Sequence, residues 1–554
     1  MQLTLKNQTF NVSFEYEYKG VRIPIDTQFE QEDGVSFTSP YGGTYQAKIM
    51  KTEEDDRLMF TLRAKAPHPT QMRMRIDQEG EQGFHIIPCN IMGDNNARLV
   101  RPGEMPVLTN DHPEVEFCSP RWEFRADRAA MPIAGLCLAT GAIAIAIDPY
   151  STDGGQRIHN GLFAELPNAV GCSLGYRNDP CTFTNKRIPS PSTAEYVTDS
   201  MLNGSIYVIE TAADPAAPKD DHRAIHAVIR REYEKRRELP TYQKTYREAA
   251  LGLLTSFVKV NWNAKDGEYT NVNCKPPKKS EMTPWRNVME IGWTGGGVLS
   301  YPLILTRDVL GEEADALLKE AMSGEEMTDR ITGCYHPQSG LYLDLMSELN
   351  GSRVNGWWTG FGLVKDCHCA YTNGSALHYI LKTIVYLKSK GRTYPENWLS
   401  TALQVCDTVM QLQRADGAFG YTYAVDHKEV LDWDGFAGCW FAPALAYAYQ
   451  MTGTAAYLEA AKKALRYYHG EVAALTCSGT PMDTWKAVDE EGNLAFIRGC
   501  RIVHELTGEQ EFLDKLEDGA NYEFLWRYGY RTYPDFAPLS KESGNWNACG
   551  GSVT

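Results

Sequence analysis

Asp432 and Asp434 flank Trp433 in the run Lys428-Glu-Val-Leu-Asp-Trp-Asp-Gly-Phe-Ala-Gly-Cys-Trp440, which empties into an apolar segment beginning near Phe441. Two carboxylates beside an indole, just ahead of a helix, combine proton chemistry with an apolar stacking face. The helix N-terminus adds unpaired N–H groups and positive potential. The arrangement recurs: Met289-Glu-Ile-Gly-Trp-Thr-Gly-Gly-Gly297 and Lys365-Asp-Cys-His-Cys-Ala-Tyr-Thr-Asn-Gly374 precede helices of their own, and Asp483-Thr-Trp485 and Gly544-Asn-Trp-Asn547 look like further copies. Candidate acids and bases are therefore Asp434 and Asp366, with Asp432 able to replace Asp434, and Asp483 and Glu290 in second rank. The competing reading of each aspartate is a helix N-cap.

Trp285, Trp293, Trp357, Trp358, Trp433, Trp485 and Trp546 all fall in such loops. Singly each is an ordinary packing residue. Together they fit a carbohydrate site, because indole faces stack on the C–H faces of sugar rings. Asn373 and Asn545 supply hydroxyl partners, His368 an orienting one. Arg353, with Arg286, Lys365, Lys486 and Arg498, suits a uronate carboxylate. Cys367-His368-Cys369 does not have zinc-site spacing, so neither metal nor cofactor is expected. Phosphate-cradling, nucleophile-elbow and His-Glu-x-x-His signatures are missing.

These loops need a scaffold, and the chain is long enough to build two or more domains, at 554 residues and 43% hydrophobic. Residues 1–212 alternate with period two, as in Phe10, Val12, Phe14 and Tyr16 or Leu58, Phe60 and Leu62, which predicts an antiparallel β-sandwich. Within it, Ser119 to Arg128 is charged and aromatic and reads as a solvated strand edge. Residues 213–240 form a linker helix ended by Pro240. Residues 241–554 are helical, with segments near 243–260, 296–310, 313–330, 373–390, 396–413, 439–451, 455–470, 494–507 and 510–527. Apolar stripes such as Leu377, Ile380, Ile384 and Leu387, or Leu513, Leu516, Ala520 and Phe524, mark their inner faces. Short turns at Gly311, Gly453 and Gly508 alternate with the long Trp- and Asp-bearing loops, which describes helical hairpins closing into a toroid with one functional face. Nine helices are odd for a closed ring of pairs, and Cys549 to Thr554 reads as the entry to another inner helix, so the toroid is expected to be incomplete at its C-terminus.

A β-sandwich, a linker helix and paired helices with Trp- and Asp-rich loops resemble the six-hairpin, (α/α)6-toroid glycoside hydrolases, the glucoamylase-like and unsaturated-uronyl-hydrolase-like group. Gln413-Arg-Ala-Asp-Gly-Ala-Phe-Gly420 is similar to a turn that recurs in such toroids. The resemblance implies hydrolysis of a short oligosaccharide, with uronates among the substrates to test. Asp434 would protonate the leaving group and Asp366 activate water. The rival readings are a polysaccharide lyase using Tyr371 and His368, a phosphorylase, and a non-catalytic sugar-binding toroid. A net charge of −16 argues against nucleic acid and anionic membranes as partners. The expected partner is an oligosaccharide, and a homo-oligomer is left open. Fourteen scattered cysteines and an N-terminus without a signal-peptide pattern suggest a cytoplasmic protein.

Overall fold

The computed structural model describes residues 1–6, 8–26, 34–99, 106–111, 117–138, 141–177, 194–210, 222, 224–239, 244–264, 267–269, 291–292, 297–344, 348–349, 352–353, 367–480, 486–533 and 547–552, the side chains of 297, 348–349 and 352–353 excepted. The chain divides into two compact units. One comprises Met1–Pro240, Ala473–Thr476 and Asn521–Thr554; the other comprises Thr241–Val472 and Cys477–Ala520.

The first unit is built on two antiparallel sheets. A seven-stranded sheet runs Gln2–Leu5, Gln8–Tyr18, Met72–Asp77, Ala169–Leu174, Gly161–Glu165, Arg121–Arg125, with Val21–Pro24 also pairing with Gln8–Tyr18. An eight-stranded sheet runs Val35–Thr38, Thr44–Lys51, Arg57–Thr70, Val197–Glu210, Gly141–Ile147, Ile133–Leu138, Phe84–Ile87, Ile91–Met92. The period-two residues of both sheets enter one buried cluster. Phe10, Val12, Phe14, Met74 and Ile76 come from the first sheet, and Phe60, Leu62, Ile143, Leu202 and Ile206 from the second. Alternation places every second side chain on that face, so register and core are set together. Gly141–Ile147, the most apolar run, is buried along its whole length.

The run from Ser119 to Arg128 departs from the expected solvated edge. Arg121–Arg125 is indeed the last strand of its sheet, but Trp122 and Glu123 are fully buried. The Trp122 indole donates to the Val107 carbonyl at 2.9 Å. Burial alone would raise the Glu123 pKa, yet Arg73, Arg121 and Arg22 together hold it below the usual value. Charge on this strand therefore serves an internal ion network rather than water.

Helix α1 (Ala224–Arg236) lies on the eight-stranded sheet. A Cβ at Gly135 would meet the Ile225 side chain at 2.6 Å, so glycine allows the close approach. Tyr207 donates to Glu232 of α1 at 2.7 Å. The segment after Asn521 joins the same unit. Gly529 N–H donates to the Ala130 carbonyl at 3.0 Å, and the buried Tyr530 hydroxyl donates to the carbonyls of Ala126 and Ala129.

The second unit is helical: α2 (Tyr246–Ser256), α3 (Gly297–Leu310), α4 (Glu312–Leu318), α5 (Gly324–Thr332), α6 (Ala370–Ser389), α7 (Glu396–Gln411), α8 (Phe441–Thr452), α9 (Ala455–Ala473), α10 (Glu491–Thr507) and α11 (Gln510–Glu523), the last residues of α9 and α11 falling in the first unit. Helices α3, α6, α8 and α10 pack in succession, while α2, α4 and α5 lie against α3, and α7 against α5, α6 and α8. Glycines 453 and 508 cap α8 and α10 in the left-handed conformation, and Gly311, between α3 and α4, has a positive φ of 61°. The single helix expected over 313–330 is two. Ser323 and Glu326 form a reciprocal capping box that starts α5 afresh. The stripe expected for α11 is also displaced: Leu513 is 40% exposed, whereas Phe512 and Gly519 are buried. Gly519 faces α10, where the Asn493 amide donates to its carbonyl at 2.8 Å. Among the described residues no helix is long and apolar enough to cross a membrane.

Candidate active site at the starts of α6, α8 and α10

The start of α6 is held by a buried polar knot. Cys367–Cys369 is a short strand paired with Thr422–Ala424, which pairs in turn with Val430–Asp432. His368 shares hydrogen bonds with Asp344 through Nδ1 (2.7 Å) and with Ser339 through Nε2 (3.0 Å). Asp344 also accepts from the Cys369 N–H (3.1 Å), the Thr372 hydroxyl and the Asn373 amide (3.1 Å). Asn373 closes the knot by accepting from Tyr342 N–H and donating to Tyr342 C=O. Asp344, His368 and Asn373 have no exposed surface. A carboxylate with this many donors is satisfied in the interior and ties the Leu341–Tyr342 strand to the helix. His368 has the aspartate and serine neighbours of a hydrolytic triad, but Ser339 is 1% exposed.

One residue along, α6 presents Tyr371. Its hydroxyl donates to Glu491 Oε2 at 2.7 Å, across to the first residue of α10. Burial, then the charge of Glu491, pushes the phenol pKa well up. The Tyr371 ring meets Trp440 edge-on at 5.7 Å, and the Arg498 guanidinium lies 5.2 Å from the Trp440 ring. Trp440 ends the 3-10 turn Phe436–Trp440 that leads into α8. A Cβ at Gly374 would lie 2.6 Å from the Trp440 Cβ, so glycine lets α6 and this turn close together. Glu491, Tyr371 and Trp440 thus come from the starts of three successive packed helices, and Arg498 from about two turns into α10.

The loops that carry the sequence candidates meet beside this cluster. Asp489 accepts from the N–H groups of Glu491 (2.9 Å) and Thr480 (3.0 Å), shaping the entry to α10. Phe436 N–H donates to the Ser478 carbonyl, which sews the loop before α8 to the loop before α10, and Gly479 N–H donates to the Ala487 carbonyl within the latter loop. Lys486 crosses the same seam to Asp432 at 2.7 Å, and Asp432 also accepts from the Asp434 N–H at 2.9 Å. Asp434 is exposed, and Trp433 is half-buried with the Arg414 guanidinium 5.0 Å from its ring. Of the sequence candidates, the structure brings together Asp432, Trp433 and Asp434 on one loop and His368 and Asn373 in the knot. Arg353 lies in a two-stranded hairpin. Asp366, Asp483, Glu290, Trp285, Trp293, Trp357, Trp358, Trp485, Asn545 and Trp546 lie outside the described residues. Among the described residues no group of three His, Cys, Asp or Glu side chains is placed to hold a metal.

Glu491 escaped the sequence reading. The signal was present: Asp489-Glu490-Glu491-Gly492 puts acids ahead of a helix, as the other loops do, but no tryptophan adjoins it. The indole comes instead from Trp440, 51 positions earlier in the chain.

No known family description matches this sequence, and no curated protein does. Among solved structures, the chain is similar to a family 76 glycoside hydrolase from a bovine Bacteroides thetaiotaomicron strain, at 11% identity over 72% of this chain and 75% of that one, TM-score 0.34. It is similar to the unsaturated glucuronyl hydrolase of Bacillus sp. GL1, at 13% identity over 58% and 76%, TM-score 0.34. A polysaccharide lyase aligns at 9% identity over 93% and 75%, TM-score 0.26. At these scores the likenesses decide neither fold nor activity.

Proposed function

We propose that the protein is a glycoside hydrolase, its two-sheet unit a β-sandwich and its helical unit an (α/α)6-type toroid, acting on a short oligosaccharide without a cofactor. The observation that carries this reading is the half-buried Glu491 at the start of α10, bound by Tyr371, whose ring meets Trp440, with the Arg498 guanidinium on the Trp440 ring. An ionised carboxylate is purely an acceptor, and Tyr371 is a committed donor, so Glu491 suits the base or nucleophile of glycosidic cleavage. Asp434, exposed next to Trp433 on the adjoining loop, suits the acid that protonates the leaving oxygen. Asp432 is drawn toward Lys486 and positions that loop. Asp366, Asp483 and Glu290 are the further carboxylates to test.

β-Elimination would ask Tyr371 to give up its proton readily. Burial and Glu491 oppose that, which favours hydrolysis over a lyase. The test is release of chromophore from aryl glycosides, glucuronides and galacturonides included, by wild type, Glu491→Gln and Asp434→Asn. Wild-type hydrolysis should fall about 10²–10⁴-fold in Glu491→Gln, the usual worth of a positioned acid or base. Full activity in both variants would sink the assignment. An unsaturated product, detected by its ultraviolet absorbance, would replace hydrolysis with elimination.

A further inference from the structure

Farther along the same helices, α6 and α10 carry basic side chains. Lys382 lies 4.4 Å from the Tyr301 ring of α3 and 5.7 Å from the Tyr379 ring; Arg498 lies 5.9 Å from that same Tyr379 ring. Both cations are half-buried, and neither has a carboxylate partner among the described residues. Arg501, the third cation here, is paired with Glu505 at 2.5 Å. A protein of net charge −16 has thus gathered positive charge on aromatic rings inside its helical unit.

Beneath them is a floor of unmet polar atoms. His378 is 1% exposed, stacked on Tyr447 at 5.4 Å, and neither ring nitrogen has a hydrogen-bond partner among the described residues. Ser375 Oγ and Trp440 Nε1 are likewise buried without partners. A buried polar group without a partner calls for an explanation, and a bound ion is one of the few available. Burial, then Arg498, Lys382 and Arg501, pushes His378 well down, and burial followed by the two arginines lowers Lys382 to about 8. An anion seated between Lys382 and Arg498 would offset the repulsion that both shifts record.

We infer that Lys382 and Arg498, which both lie near the Tyr379 ring, form a site for an oxyanion, the carboxylate or sulfate of an acidic saccharide, with Tyr301 and Tyr379 offering faces for its ring. That the carrier is a saccharide rests on the glycosidase reading; the oxyanion site itself does not.

The experiment is calorimetric titration of the full chain, at constant ionic strength, with sodium glucuronate, sodium sulfate and glucose. Glucuronate should bind and glucose should not. Lys382→Gln and Arg498→Gln should each weaken glucuronate binding about tenfold or more, as expected for loss of a charge-assisted contact. Lys382→Arg should restore binding, and thermal unfolding controls for misfolding of the variants. Sulfate that binds and competes with glucuronate supports the oxyanion site. Sulfate binding with glucuronate refused overturns the saccharide carrier. Glucose bound as tightly as glucuronate, or glucuronate binding indifferent to Lys382→Gln and Arg498→Gln, overturns the site. Glu491→Gln should keep glucuronate binding whatever it does to hydrolysis, so loss of the glycosidase reading and loss of this site are separate results.

Discussion

Two carboxylates act at the start of α6 under opposite conditions. Asp344 is sealed and accepts from His368, Cys369, Thr372 and Asn373. Glu491 is half-buried and accepts from the Tyr371 hydroxyl, near an indole and a guanidinium. The first has exchanged all its water for protein donors, so its charge is already spent on holding a strand to a helix. The second keeps surface, and its neighbours are groups that bind ligands as readily as they bind protein. Aspartate, histidine and serine in hydrogen-bond contact do not by themselves make a reactive site; a reactive group also needs access.

The contrast can be broken first by exchanging the losses. Asp344→Ala should cost about 3–5 kcal/mol in denaturant unfolding, because His368 and the α6 donors are left buried and unpaired. Glu491→Gln should unfold close to wild type while hydrolysis collapses. If instead Asp344→Ala folds normally and loses only activity, the knot is part of the chemistry.

A buried histidine in the other unit supplies a control on what sealing does. His85 is 1% exposed, with Nε2 3.0 Å from the Glu165 carbonyl, and burial lowers its pKa to about 4. The unfolded chain then binds more protons between about pH 6.5 and 4, so stability present above pH 6.5 is lost as pH falls through that window. The loss is on the order of 3 kcal/mol. His85→Gln should flatten that part of the unfolding curve measured against pH, and an unchanged slope would show that His85 is not its source.

Tyr371→Phe sharpens the contrast at smaller scale. Removing one hydrogen bond to a carboxylate should lower kcat about tenfold, with little change in thermal stability. A large loss of stability would move Tyr371 to the structural side.

Much of the scaffold was legible because it depends on local periodicity. Phe10, Val12, Phe14 and Tyr16 alternate and are all buried, and Leu377, Ile380, Ile384 and Leu387 recur at helical spacing and are all buried. The failures have equally local causes. The break at Ser323 needed its capping box to be weighed against a run that otherwise reads as one helix. The α11 stripe was misplaced because Gly519 is buried for its smallness rather than its hydrophobicity. Ser119 to Arg128 was read as solvated because charge suggests water, whereas three arginines make Glu123 tolerable inside.

The cluster around Glu491 was legible only in part. Loops with acids and tryptophans ahead of helices drew attention to helix starts, where Glu491 and Tyr371 also lie, and Tyr371 and Arg498 were noticed for roles of their own. The sequence by itself determined the alternating strands, the helices with their glycine turns, and the placement of acids at helix starts, since each follows from neighbours a few residues apart. Only the tertiary structure decided that Glu491 answers to Tyr371, that Trp440 supplies the indole, and that Asp344 is closed off while Glu491 is not. Those pairings span up to 120 positions along the chain, and burial is a property of the packed whole, so no local pattern encodes them.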